Sequence, residues 1–139
     1  VNKIEYNDGK WVAVGDSNIA YSTNGKIWTS DTSIETTGNV FSFVTYTNGY
    51  WISGGDDVNR DGQIFRSSDG ETWTQTDFSL YENGNGQSAA GNGKMVVVGA
   101  FLEGGDDSLW YSEDTGETWE EPFENPFGSN SQIFQVIYS

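Results

Sequence analysis

Several residue types that usually carry chemistry are missing from this chain of 139 residues. There is no cysteine, which excludes a disulfide framework and a thiolate-ligated metal site. There is no histidine either, so the commonest general base and metal ligand is absent. A serine nucleophile activated by histidine is therefore excluded. The longest apolar run, residues 95–98, is far too short to cross a bilayer.

Positive charge is scarce. Six lysines and arginines stand against 21 acidic residues, for a net charge of −15. A surface of this sign repels nucleic acid and anionic membranes, because both are bound through basic patches. We therefore expect no nucleic-acid or membrane partner. The acidity indicates either solubility, for example in a salty medium, or a surface that binds cations.

The composition that remains is typical of a β-rich fold with many turns. Aromatic residues make up 15% of the chain, which has 18 glycines and only two prolines. The length predicts one domain. The chain begins with valine and shows no signal-peptide pattern, so we expect a processed or incomplete segment.

One short motif occurs three times. Residues 112–119 read S-E-D-T-G-E-T-W, and shorter copies occur at 67–73 and 22–28, with tryptophans 45 and then 46 residues apart. Asp or Asn followed closely by Gly indicates a tight turn, which serine and threonine hydroxyls can hold closed. The residues that define the motif are Ser22, Asn24, Gly25 and Trp28, then Ser67, Asp69, Gly70 and Trp73, then Ser112, Asp114, Gly116 and Trp119. A constant period of this length indicates a repeat architecture.

The motif resembles the Asp-box (BNR) repeat of sialidase-like β-propellers, where it lies between the third and fourth strands of a blade. Each repeat here is expected to contain four strands separated by turn residues. The predicted strands are Lys3–Tyr6, Lys10–Gly15, Asn18–Ser22 and Lys26–Asp31; Val40–Tyr46, Tyr50–Gly54, Gln63–Ser67 and Glu71–Asp77; Gln87–Ala90, Lys94–Phe101, Ser108–Ser112 and Glu117–Pro122; and Gln132–Tyr138.

The expected fold is thus all-β, an Asp-box β-propeller segment of about three four-stranded antiparallel blades plus the first strand of a fourth. The predicted boundaries are 1–38, 39–83 and 84–128 for the blades and 129–139 for the extra strand. Three blades do not close a ring, because propellers have roughly four to eight. We expect either a segment of a longer array or copies that complete one another, so the expected partners are protein partners, further copies or further blades.

Tryptophan is the residue to weigh for ligand contact. Trp28, Trp73 and Trp119 recur at one position of the repeat, and Trp11 and Trp51 share another, so we expect all five in the core. Trp110 breaks this pattern. We expect it to be packed too, although it is the best aromatic candidate for a contact.

An acidic loop carries the one local metal pattern. Residues 57–62 read D-V-N-R-D-G, which fits the opening of a calcium loop, with Asp57, Asn59 and Asp61 as oxygen ligands. The twelfth position, where such loops place a bidentate glutamate, is Ser68. The alternative is a plain acidic hairpin tip closed by Asp-Gly. Calcium is the only cofactor that the sequence suggests.

Catalysis is not expected. The resemblance to sialidases implies an active site with three clustered arginines that bind a carboxylate. This chain has only two arginines, Arg60 and Arg66, so it cannot form such a cluster by itself. Other Asp-box glycosidases use two carboxylates roughly 5–10 Å apart. With 21 acids some pair will satisfy that by chance, and no feature singles out a pair such as Asp56 and Asp106.

The resemblance implies a non-catalytic structural or adhesion module, with surface glycan as a possible ligand class. Similar tandem Asp-box repeats occur in phage and giant-virus structural proteins, so a virion or extracellular location is expected. Two alternatives stay open. One is a fragment of a sialidase-like glycoside hydrolase. The other is an assembly or scaffold factor, of the photosystem-associated kind, that uses an Asp-box propeller.

Overall fold

The computed structural model describes residues 1–79, 84–102, 107–124, 126–127 and 133–139, and these residues form an all-β fold. Its strands are β1 Lys3–Asn7, β2 Lys10–Gly15, β3 Asn18–Ser22, β4 Thr29–Ser30, β5 Val40–Thr47, β6 Tyr50–Asp56, β7 Gly62–Ser67, β8 Thr74–Ser79, β9 Gly84–Gly91, β10 Val96–Leu102 and β11 Asp107–Ser112. Within the described part of the chain, no helix is long and apolar enough to span a bilayer.

The strands form three antiparallel sheets in chain order. Sheet 1 has the order β1-β2-β3-β4, sheet 2 the order β5-β6-β7-β8, and sheet 3 the order β9-β10-β11. Neighbouring strands in each sheet are also consecutive in sequence, because only two to six residues separate them. The chain is therefore a series of local meanders, as the repeat period predicts.

The first hairpin turn is alike in sheets 1 and 2 but not in sheet 3. Asp8 and Gly9 have φ of 47° and 73°, and Asn48 and Gly49 have 47° and 85°. Positive φ at both central residues is the type I′ geometry, which matches the twist of the two strands and favours Asn-Gly or Asp-Gly. In sheet 3, Val96 pairs with Gly91, so the connection is longer.

Strands that follow the repeated motif begin later than the sequence predicts. β4 covers Thr29–Ser30 instead of Lys26–Asp31, and β8 begins at Thr74 instead of Glu71. In sheet 3 the expected strand Glu117–Pro122 is reduced to one bridge between Tyr111 and Glu120. The reason is local, because the first N–H groups after the motif glycine bond to its Asn or Asp side chain.

The extra first strand of a further blade is not formed. Gln132 lies outside the described residues, and 133–139 contains no strand. This tail nevertheless packs on the protein, because Ile133 is buried and the Val136 N–H donates to the Ser88 hydroxyl at 3.1 Å. An added Cβ at Gly99 would meet Ile133 at 2.6 Å, so the tail lies directly on β10.

Two apolar clusters hold the sheets together. One joins sheets 1 and 2 and consists of Val12, Val14, Ile19, Phe41, Val44, Trp51, Phe65 and Trp73. The other joins sheets 2 and 3 and consists of Phe43, Ile52, Ile64, Ala89, Val96, Val98, Ala100 and Trp119. Because side chains alternate along a strand, Trp51 faces sheet 1 while its neighbour Ile52 faces sheet 3. Sheet 2 is consequently covered on both faces.

The first strands of the three sheets and the tail line one cavity. It has a volume of about 280 Å³. Its lining residues come from β1, β5, β9 and the tail, among them Glu5, Thr45, Ala90 and Gln135. The sheets are thus arranged with their first strands towards a common space.

Candidate functional site

In each sheet, a loop with the same sequence pattern begins at the end of the third strand. We call these three loops, residues 22–28, 67–73 and 112–119, the motif loops. In each of them the first residue, a serine, closes the loop. Its hydroxyl accepts the N–H of the motif glycine, at 2.9 Å for Gly25 and 2.8 Å for both Gly70 and Gly116. The serine hydroxyls donate in turn to Asn24, Asp69 and Asp114, at 3.3, 2.9 and 2.7 Å.

The Asn or Asp side chain then satisfies the backbone beyond the glycine. Oδ1 of Asp69 accepts the N–H groups of Glu71 and Thr72, both at 2.8 Å. Oδ1 of Asn24 does the same for the two residues after Gly25, both at 2.9 Å. The amide of Asn24 therefore matches the carboxylate of Asp69 in geometry.

Asp114 makes the largest set of these bonds. Its Oδ1 accepts the N–H groups of Glu117 and Thr118 at 3.0 and 2.9 Å, and its Oδ2 accepts the Thr118 hydroxyl at 2.5 Å. Burial by itself raises the pKa of Asp114, but the bonds from Thr118, Ser112 and Glu117 lower it to about 2. For Asp69, burial likewise raises the pKa, and the bonds from Thr72 and Glu71 outweigh it and lower it. Both carboxylates are held ionised by their own loops.

The tryptophans predicted to lie in the core divide into two groups. Trp73 and Trp119 are 2% and 7% exposed, and Trp51 is 1% exposed. Trp11 and Trp28, which occupy the equivalent positions in sheet 1, are 37% and 38% exposed, so the prediction of burial is wrong for them. Each buried tryptophan packs between two sheets, whereas the described residues place no sheet against this side of sheet 1.

A cation on one sheet meets an acid on the motif loop of the next. Lys10 of β2 binds the Glu71 carboxylate and donates to the Asp69 carbonyl at 2.5 Å, and its Nζ lies 5.4 Å from the centroid of the Tyr21 ring. These contacts join sheet 1 to sheet 2. The sequence gives Glu71 no special role, so this junction was not predicted.

The junction between sheets 2 and 3 repeats this arrangement, but the cation and the aromatic ring exchange positions between the second and third strands. Arg66 of β7 binds Glu117 at 2.6 Å and Thr115 Oγ1 at 2.7 Å, and its guanidinium stacks on Tyr50 at 3.8 Å. In sheet 1 the cation precedes Trp11 and the ring precedes Ser22. In sheet 2 the ring precedes Trp51 and the cation precedes Ser67. An alignment of the repeats could have revealed this exchange of cation and ring, but only if the position before the second-strand tryptophan and the position before the motif serine were compared as a pair.

A polar cavity of about 820 Å³ lies beside this second junction. Its lining is rich in hydroxyl, amide and carboxylate groups and includes Arg66, Thr74, Gln75, Asp77 and Glu117. These groups donate and accept hydrogen bonds, and four of the eleven lining residues, 74–77, lie on β8. The sequence named no residue of this cavity as a ligand-binding residue.

The acidic loop is held by Asp57. Its Oδ1 accepts the N–H groups of Asn59 and Asp61 at 2.7 and 3.0 Å, and its Oδ2 accepts the side-chain amide of Gln63 at 3.3 Å. The described residues contain no cluster of three or more acidic side chains placed to hold a metal. The side-chain bond from Asn59 to Asp57, at 3.4 Å, brings two of the three predicted ligands together. Calcium binding by Asp57, Asn59 and Asp61 stays a prediction.

Of the carboxylate pair that illustrated a glycosidase, only one member can be placed. Asp106 lies outside the described residues. Burial raises the pKa of Asp56, although the nearby Arg60 acts in the opposite direction. A raised carboxyl pKa is what a general acid needs, but it also occurs at buried structural acids. Arg66 is already bound to Glu117, so it is engaged within the fold.

No protein-family model matches this sequence, and a search of curated proteins finds no match either. Its resemblance to Asp-box repeats therefore depends on the residues themselves.

Proposed function

We propose that this chain is a segment of an Asp-box β-propeller that acts without catalysis as a structural or adhesion module, with a virion as its setting. The observation that carries the proposal is the threefold recurrence of one loop. In each sheet the third strand ends at a serine whose hydroxyl accepts a glycine N–H, and an Asn or Asp two residues later accepts two further N–H groups.

The arrangement of the sheets supports the same proposal. Sheets 1 and 2 have the strand order of a four-stranded blade, and the first strands of all three sheets line one cavity. In a propeller, blades are arranged radially about a channel that their first strands line. Further copies or further blades would complete such a ring.

For adhesion, the polar cavity on β8 offers the best contact surface. Hydroxyl, amide and carboxylate groups such as those of Thr74, Gln75 and Asp77 can exchange hydrogen bonds with the hydroxyl groups of a sugar. The net charge of −15 favours a neutral ligand over an anionic one. We therefore propose a neutral surface glycan as the ligand class.

A glycan array with the purified chain tests this function. We expect binding to neutral glycans, and weaker binding by Gln75→Ala and Asp77→Ala, while Asp8→Asn, which removes an acid but keeps the Asx-Gly turn between β1 and β2, serves as the control. Fluorogenic sialosides and neutral glycosides should remain uncleaved. Hydrolysis that is lost in Asp56→Asn would overturn the non-catalytic proposal and favour a glycoside hydrolase, and binding that Gln75→Ala and Asp77→Ala do not change would remove the glycan site from this cavity.

A further inference from the structure

The outer faces of sheets 1 and 3 carry the same positions that form the two internal junctions, but with the charges reversed. At both internal junctions the cation belongs to the earlier sheet and the acid to the motif loop of the later one, as in Lys10 with Glu71 and Arg66 with Glu117. The motif loop of sheet 1 has Lys26 at this position. A surface that docks on this loop should therefore present an acid.

Strand pairing identifies the corresponding positions on sheet 3. Trp11 pairs with Ser22, Trp51 with Ser67, and Val96 with Ser112. Met95 and Tyr111 consequently hold the places that Lys10 and Tyr21 hold in sheet 1. The ring is present on sheet 3, but the cation is replaced by methionine.

Acids lie around that ring instead. The Tyr111 hydroxyl donates to Glu120 at 2.8 Å. That hydrogen bond and burial raise the pKa of Tyr111, and the charges of Glu120 and of the nearby Glu113 raise it further. Sheet 3 thus presents a ring with carboxylates where sheets 1 and 2 present a ring with a cation. Its charge is complementary to Lys26.

The apolar parts of the two ends correspond in the same way. Val97 and Leu109 on sheet 3 are the counterparts of Val12 and Ile19, which form one cluster with Trp73. They line a cavity of about 370 Å³ together with Met95, Trp110, Tyr111, Glu113 and Pro122. The cavity therefore lies where the other two sheets receive the tryptophan of the following motif loop. Trp28 is the motif-loop tryptophan that no described sheet covers.

We infer that sheet 1 of one copy docks on sheet 3 of a second copy, with Trp28 in this cavity and Lys26 between Glu120 and Glu113. This inference rests on the proposed propeller architecture. Made reciprocally by two copies, the contact joins six sheets, within the range of propeller rings. The tail lies against β9 and β10 of sheet 3 without forming a strand, so β1 of the second copy is the element that must shift to avoid it.

A charge-swap series measured by sedimentation velocity across protein concentration tests this docking. The full chain should associate into a pair of copies, or into longer head-to-tail chains if the contact does not close. Lys26→Glu and Glu120→Lys should each weaken association at least ten-fold. Mixing these two variants restores opposite charges at both contacts of a reciprocal pair, as does the double variant, so both should associate nearly as well as the parent.

Trp28→Ala should abolish association, whereas Val58→Ala, at an exposed apolar residue of the β6–β7 loop, should leave it unchanged. A parent chain that stays monomeric at several hundred micromolar would overturn the docking, as would a Trp28→Ala variant that associates normally. Association that is unaffected by both charge reversals would overturn the assigned partner surface. None of these results touches the glycan and hydrolysis tests, so the proposed function can stand or fall separately.

Discussion

Sheets 1 and 2 are built from nearly the same parts but have different surroundings. Both have four strands in the same order, a tight Asx-Gly hairpin turn and a motif loop with the same hydrogen bonds. Even the aromatic pairs correspond, with Tyr6 on Trp11 at 4.6 Å and Tyr46 on Trp51 at 5.0 Å. In the part of the chain that the structure describes, sheet 2 has a neighbouring sheet on each face, and sheet 1 has one on a single face. The motif loops therefore form with or without a neighbour, whereas burial of their tryptophans depends on the adjacent sheet.

Replacing the motif-loop tryptophans should show this difference most strongly. Trp73→Ala removes a fully packed indole from the cluster between sheets 1 and 2 and should cost about 3–5 kcal/mol of unfolding free energy. Trp28→Ala, at the equivalent but exposed position, should cost about 1 kcal/mol or less. Urea denaturation of the two variants at a concentration where the chain is monomeric measures both values. Equal losses would mean that Trp28 is as well packed in solution as Trp73.

Removing the Asx side chain should have the next largest effect. Asp114→Ala leaves the N–H groups of Glu117 and Thr118 without their acceptor and should cost about 1–3 kcal/mol. Asn24→Ala, in the exposed loop of sheet 1, should cost about 0.5–1.5 kcal/mol because water can replace the lost acceptor. Thermal unfolding gives both values. A melting temperature of Asp114→Ala equal to that of the parent would contradict the role of this side chain in closing its loop.

Acid should weaken the later motif loops but not the first. The folded pKa of Asp114 is about 2, below its ordinary value of 3.8, so the unfolded chain binds a proton more readily. The contribution of Asp114 is complete above pH 3.8 and is lost as the pH falls towards 2. Asn24 does not titrate. Asp114→Asn should therefore flatten the loss of stability with pH in this window, as followed by urea midpoints, and an unchanged slope would contradict the lowered pKa.

Sheets 1 and 2 also differ in the loop between their second and third strands, and calcium tests this difference. Sheet 1 has a two-residue turn there, and sheet 2 has the acidic loop. The calcium hypothesis predicts that the melting temperature rises with added calcium and falls with chelator. At ten times the dissociation constant the gain is about 1.4 kcal/mol. Asp61→Ala should remove this response, while Asp16→Ala in the sheet 1 turn should keep it; indifference of the parent to both additions would leave a plain acidic turn.

The ion pairs should contribute least. A double-mutant cycle on Lys10 and Glu71 should give a coupling energy in the range of about 0.2–1 kcal/mol, since Glu71 is partly exposed. The cycle on Arg66 and Glu117 should lie in the same range, because Glu117 is also exposed and the contacts of Arg66 with Thr115 and Tyr50 cancel in the cycle. A coupling of zero in both cycles would reduce these pairs to surface contacts.

Local features of the fold could be predicted from the sequence, while features that depend on neighbouring sheets could not. The bounds of β2 and β3 agree with the prediction, because turn residues on both sides fix them. The short β4 could not be predicted, since it depends on which N–H groups the Asn24 side chain occupies. The exposure of Trp11 and Trp28 depends on whether another sheet covers them. The ion pairs of the two junctions join residues 61 and 51 positions apart, and no local pattern reveals such pairs.

The two apolar clusters have no residue in common, and this has a consequence for cooperativity. Among the described residues, the apolar clusters couple sheet 1 to sheet 3 through the strands of sheet 2, so the energy of the stack is close to a sum of nearest-neighbour interfaces, as in a linear repeat protein. Opening can begin at an end and stop at the next interface. Amide hydrogens of β6, whose side chains contribute to both clusters, should then exchange most slowly, and those of β1 and the tail fastest.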